Sequence, residues 1–176
     1  VRERLAAEVE RLRPLARDVA WVGPDRFHLT VKFLGGVESP RLDAVVAALA
    51  DAASPVVPFD LAVQGLGAFP SLTRARVLWA GIGDGAAAAA RLAGRVDEAL
   101  ATLGFEREAR GFAGHVTLGR VRQPRANPRL AAALGGRGAY GRVRVEHVCL
   151  MRSELSPRGA RYTELAAVAL GAGAPG

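Results

Sequence analysis

The 176-residue chain contains one cysteine, Cys149, one lysine, Lys32, and three histidines. A lone cysteine closes no internal disulfide and supplies no multi-cysteine zinc site, so an oxidised framework and a zinc ribbon are both excluded. No stretch approaches the ~18 uninterrupted apolar residues of a membrane-spanning helix. The opening Val1-Arg2-Glu3-Arg4-Leu5 has no signal-peptide character. A cytoplasmic setting without a membrane partner is therefore expected. Also missing are a G-x-x-x-x-G-K-[ST] loop, a G-x-S-x-G elbow and an H-E-x-x-H pair, which leaves ATP binding, Ser-His-Asp hydrolysis and zinc-protease chemistry without support.

Half of the residues are hydrophobic, with alanine inflating that share, and the formal net charge is +7, nearly all of it from arginine. This length suits one domain, or two small lobes sharing a core, that folds without disulfide staples. Alanine, glycine and arginine usage reflects a GC-rich coding sequence, but nucleotide bias does not account for the excess of basic over acidic residues. An anionic partner and a merely solvated surface both fit that excess.

Leu5, Val9, Leu12 and Ala16 recur at helical spacing and predict an amphipathic helix over residues 3–17. After Pro24-Asp25, alternation of Phe27, Leu29, Val31 and Phe33 with His28, Thr30, Lys32 and Leu34 predicts a strand. Ser39-Pro40 opens a second helix that stops before Pro55. Strands follow around 57–66 and 75–82, then a third helix capped by Asp84 and closed by Gly104. A strand over 112–120, at most one short helix within 124–138, and long strands at 141–151 and 160–170 around Ser156-Pro157-Arg158-Gly159 complete the pattern, with a frayed tail over 171–176. Strands outnumber helices and neighbouring strands favour antiparallel pairing, so the fold class is α+β, without a linker that splits the chain.

Two of the three histidines stand in the same local sequence, Phe27-His28-Leu29-Thr30-Val31 and Gly114-His115-Val116-Thr117-Leu118. With threonine this scarce, two such coincidences arise by chance at roughly 0.2%. In an extended chain, residues i and i+2 point to one face roughly 6.5–7 Å apart, so each His-x-Thr presents an imidazole beside a hydroxyl. An imidazole, with an ordinary pKa of about 6.5, gives or takes a proton near neutrality, and a pair of them can act as general acid and general base in one turnover. The hydroxyls suit non-bridging phosphate oxygens, and the stiff χ1 of threonine fixes their direction. A single histidine of this kind is more often a strand residue satisfied by nearby backbone; the duplication favours a site. Neither metal nor any other cofactor is required, because two histidines without a third ligand at suitable spacing make a poor metal site. His147 lacks the threonine and reads as structural. Lys32 lies on the nominal face of His28 and Thr30, where it either adds charge to the site or sits on the sheet surface.

These motifs resemble the doubled H-x-T-x signature of the two-histidine phosphoesterases. The contexts FHLTVKFLGGV, ARVLWAGI, GFAGHVTLGRV and LMRSELSPRGARYTEL, in that order, are similar to the bacterial and archaeal RNA 2′,3′-cyclic phosphodiesterase branch, long called 2′-5′ RNA ligases. The resemblance implies a bilobal, duplicated α+β fold over 1–176, with two antiparallel sheets, outer helices and a central cleft carrying both motifs. It also implies metal-independent hydrolysis of a 2′,3′-cyclic phosphate RNA end to a 2′-phosphate by a monomer, with in vitro ligation as related reverse chemistry. In this pattern His28 resembles the proton donor and His115 the proton acceptor, while Thr30 and Thr117 match the substrate-binding hydroxyls. Arg120 matches a substrate-binding arginine after the second motif, although simple alternation from His115 turns it away and its use requires a bulge or a strand end. Arg152 and Tyr162 are candidates for nucleotide contact or for a rim ion pair and a core aromatic. The family pattern has an apolar strand ahead of the first helix, which implies one sheet with an open slot here. It commonly has a proline before the second motif, where this chain has Ala113-Gly114. A non-catalytic RNA-end binding module and a related cyclic phosphodiesterase with a small-nucleotide substrate are the alternative readings.

Overall fold

The computed structural model describes all residues except Arg137, Pro157, Arg158 and 172–176. The expected turn through Pro157-Arg158, and all of the expected frayed tail beyond Gly171, lie outside the described residues. In chain order the elements are α1 (Arg2–Leu12), β1 (Val19–Trp21), α2 (Leu42–Ala53), β2 (Phe59–Phe69), β3 (Val77–Ile82), α3 (Ala86–Ala101), β4 (His115–Val121), α4 (Pro128–Leu134), β5 (Ala139–Val145), β6 (His147–Ser156) and β7 (Gly159–Ala169), with short 3₁₀ turns between some of them. The expected α+β class holds. Two compact units are formed, one from Val1–Thr30, Leu61–Asp84 and Gly114–Val143, the other from Val31–Asp60, Gly85–Ala113 and Arg144–Gly176.

The first unit is built on a five-stranded sheet of order β1-β4-β3-β2-β5, in which β1–β4, β4–β3 and β3–β2 pair antiparallel. Leu5 and Val9 of α1 pack with Val63, Ala80, Val116 and Leu118 of the sheet, while Leu12 joins Leu78, Leu130 and Leu134. Leu12, Leu78, Leu118 and Leu134 lose all solvent contact, and each such burial contributes about 1.5–3 kcal/mol before conformational entropy is set against it. The expected helix over 3–17 stops at Leu12 and tightens into a 3₁₀ turn over Arg13–Leu15, because Pro14 has no N–H to continue an α-helical ladder. Asn127 caps α4: its Oδ1 accepts from Leu130 N at 3.0 Å while its Nδ2 donates to Leu15 O at 2.8 Å. One side chain thus satisfies a helix end and ties α4 to the turn after α1.

In the second unit α2 and α3 pack together, and α2 also meets the β6–β7 hairpin. Val45, Leu49, Leu92, Val96, Leu100, Val148, Leu150 and Leu170 form its core. Lys32 belongs to this unit. Its ammonium donates to Asp97 and, at 2.7 Å, to Glu106 O, and its side chain is 4% exposed. The Asp97 carboxylate also accepts from the Glu108 N–H at 3.0 Å and from Arg107 Nε at 3.3 Å. These hydrogen bonds, with that of Lys32 foremost, hold its pKa down at about 2. Neither sequence-based expectation for Lys32 is met, since it is a buried clamp on the segment after α3.

Three local expectations are corrected. Residues 27–34 form no strand; only an isolated antiparallel bridge, Leu29↔Val116, is made. The bridged neighbour β4 begins at His115, so beyond Thr30 nothing remains opposite to extend a ladder. Asp84 does not cap α3. Gly85 takes that position with φ 85°, a conformation favourable to glycine, while Asp84 pairs with Arg142. The single strand expected at 141–151 is two strands in different sheets, since β5 ends at Val145 and β6 begins at His147.

Candidate active site

Both His-x-Thr motifs fall in the first unit. Val116 and Leu118 of β4 are buried on the face that α1 covers, and the intervening residues of an extended chain point the other way. His115 and Thr117 therefore stand on the face of the sheet opposite α1. Leu29 bridges Val116, so it shares Val116's side, and its neighbours His28 and Thr30 join His115 and Thr117. The antiparallel register crosses the two motifs. Counted in antiparallel register from that bridge, position 28 falls on the side of Thr117 and position 30 on the side of His115.

The route to Leu29 matters for this crossing. β1 pairs with β4 through Trp21↔Gly119, and Val22 N donates to Leu118 O at 2.9 Å. The chain then leaves the sheet in a 3₁₀ turn over Pro24–Arg26 and returns at Leu29. In that excursion His28 Nδ1 lies 2.8 Å from Arg26 O. A carbonyl only accepts, so Nδ1 carries the hydrogen in this contact.

Arg120 reaches the same face through a bulge. Leu78 pairs with Gly119 but Trp79 pairs with Thr117, so Leu118 is an extra residue on β4. The alternation resets, and Arg120, opposite Val77 and Ala20, is exposed on the side of His115 and Thr117. Gly119 permits the close passage: a Cβ there would meet Val19 Cγ1 at 2.6 Å. Arg152 and Tyr162 occupy exposed positions of β6 and β7 in the second unit.

Two residues that sequence reasoning did not single out share this face. Phe69 opposes Val77 and Trp79 opposes Gly67 and Thr117. The Phe69 ring meets the His115 imidazole edge-to-face, with centroids 5.1 Å apart at 80°, and Trp79 lies 6.5 Å from it. Among the described residues no cluster of three or more His, Cys, Asp and Glu side chains is arranged to hold a metal ion.

The α+β fold thus brings both His-x-Thr motifs to one face of one sheet. The model of the family described as LigT like Phosphoesterase matches residues 1–79 and 82–162, and the chain belongs to that family. It is 31% identical over 167 residues to an RNA 2′,3′-cyclic phosphodiesterase of Methanothermobacter thermautotrophicus, covering 94% of this chain and 90% of that one. It is 34% identical over 166 residues to a protein of the same name from Aeropyrum pernix, covering 89% and 93%. Among solved structures, TT0787 of Thermus thermophilus superposes with a TM-score of 0.79 at 29% identity, covering 97% of this chain and 93% of that one. Escherichia coli LigT complexed with 3′-AMP shares the fold, with a TM-score of 0.75 at 24% identity over 97% of this chain and 92% of that one. No described helix is long and apolar enough to cross a membrane.

Proposed function

We infer that this protein hydrolyses the 2′,3′-cyclic phosphate of an RNA end to a 2′-phosphate. Membership of the family and the name shared by relatives that match most of the chain support cyclic phosphodiesterase activity. The observation that carries the mechanism is the Leu29↔Val116 bridge, from which the crossed arrangement of the four side chains follows.

In this reading the cyclic phosphate lies between the two motifs, with the Thr30 and Thr117 hydroxyls donating to its non-bridging oxygens and Arg120 offsetting their charge. Neutral His115 takes a proton from water as the water oxygen bonds to phosphorus. The bond from phosphorus to the 3′ oxygen breaks, and imidazolium His28 gives that oxygen its proton through Nε2. The products are a 2′-phosphate and a free 3′ hydroxyl. The two histidines end with exchanged protonation states and are reset by solvent. Fixed orientation of the attacking and departing oxygens, together with hydrogen bonds to developing charge, supplies the rate enhancement.

The test is hydrolysis of an oligonucleotide with a 2′,3′-cyclic phosphate end, with the product isomer read by phosphorus NMR. His28→Ala and His115→Ala are each expected to lower kcat about 10²- to 10⁴-fold, and kcat/KM is expected to be bell-shaped in pH. EDTA leaves the rate unchanged; loss of activity in EDTA that zinc restores would overturn the reading. Binding of the RNA end without any turnover would favour the binding-module alternative.

A further inference from the structure

The aromatic pair beside His115 has no part in the proton transfers, and its placement is unusually well determined. β3 puts Trp79 on the face of His115 and Thr117, with Gly81 two residues on along its own strand and Gly67 across from it on β2. A Cβ on Gly67 would stand 2.3 Å from the far edge of the indole, and one on Gly81 would stand 3.2 Å from the indole Cζ3. The indole thus lies flat along the sheet, on ground left bare by two residues without side chains. Its Nε1 is buried without a hydrogen-bond partner, so polar contact does not fix it there and ring packing does. Phe69 packs against the indole at 5.3 Å and 37°, and both rings reach the imidazole of His115.

We propose that Phe69 and Trp79 are positioning residues for His115, an aromatic cradle resting on Gly67 and Gly81 that limits the imidazole to the orientation needed for proton transfer. The imidazole has two side-chain torsions to settle, and on the side of β2 and β3 it meets rings. From Leu61 to Ile82 the only ionisable side chains are Arg74 and Arg76, at or next to the 3₁₀ turn ahead of β3. Edge-to-face packing has a directional preference, and two rings meeting His115 at different angles restrict both torsions. Phe69 can do this from an exposed position, since it is 37% exposed and its contact with His115 is lateral.

The proposal rests on the catalytic reading of His115, and the experiment separates the two. Phe69→Leu is expected to lower kcat about 10- to 100-fold, the scale on which small misplacement of a catalytic group acts, with KM nearly unchanged, and Phe69→Tyr is expected to restore the rate. Gly67→Ala, which forces the indole to move, is expected to reproduce the loss while circular dichroism stays that of the parent. In the free protein, the His115 ring-proton resonances, assigned by their loss in His115→Asn, shift in Phe69→Leu as the ring current is removed. A rise in KM with kcat unchanged, marking the rings as a stacking surface for a nucleobase, would overturn the proposal. So would unmoved His115 resonances in Phe69→Leu. If His115→Asn keeps full activity, the catalytic reading itself fails, whatever the resonances show.

Discussion

At the residue scale, the site depends on which atom of each side chain is committed elsewhere. His28 Nδ1 donates to Arg26 O, which commits that nitrogen, so in the proposed mechanism Nε2 is the one that transfers the proton. Arg120 lies on the same face but one bulge further along, where the proposed mechanism uses its charge and not a proton. Arg120→Ala is expected to lower kcat/KM about 10- to 100-fold, the worth of one or two hydrogen bonds to a charged group. The measurement is steady-state hydrolysis of the cyclic-phosphate oligonucleotide, and Arg120→Lys should recover only part, because an ammonium cannot grip two phosphate oxygens in the plane of a guanidinium. The His-x-Thr residues were legible in the sequence because their relation is local, two positions along an extended chain. Arg120 was legible only conditionally, since its side depends on an insertion that local alternation does not reveal. Phe69 and Trp79 were not legible, because their meeting with His115 needs the register of three strands at once.

At the element scale, the β4 bulge and the β1 excursion do the arranging. Leu118 is fully buried and Gly119 is wedged against Val19 and Trp21. Gly119→Ala is expected to destabilise the fold by about 1–3 kcal/mol, read by urea titration, and to cost activity beyond what stability explains by turning Arg120 aside. The helices were readable from periodicity, and the β6–β7 pair in part, since the single strand expected at 141–151 divides into β5 and β6. The strand expected at 27–34 was not there because alternation reports sidedness, whereas a ladder needs a partner, and β4 offers none past His115. Lys32 shows the same limit: its neighbours in sequence gave no sign of Asp97 or of the Glu106 carbonyl. Asp97 supplies a pH-dependent element of stability. Its folded pKa lies near 2 against 3.8 for the free side chain, so its contribution is present in full above 3.8 and is lost as pH falls through about 2. Asp97→Asn should lower Tm at neutral pH, and the gap from the parent should close over that acid range in thermal melts.

At the scale of the whole molecule, the formal charge of +7 is the long-range counterpart of the phosphate contacts in the proposed mechanism. Arginines that meet RNA phosphates release condensed counterions, with a logarithmic slope of about −0.7 per phosphate neutralised on a single strand. KM for an oligonucleotide should therefore rise with sodium chloride, while a cyclic mononucleotide should respond less; a paired salt titration of the two substrates measures the difference. Composition alone leaves that charge open between a partner and a solvated surface, and the salt titration decides between them.

The crossing of the motifs about the Leu29↔Val116 bridge also gives the site an approximate local dyad, an axis that exchanges one imidazole–hydroxyl pair for the other. In the proposed mechanism, that exchange turns donor into acceptor, and the attacking and departing oxygens trade places. The protonation state left after hydrolysis is thus the starting state for the opposite reaction. Direction is then set by which alcohol or water occupies each end and at what concentration, and the sheet itself carries no preference for bond breaking over bond making.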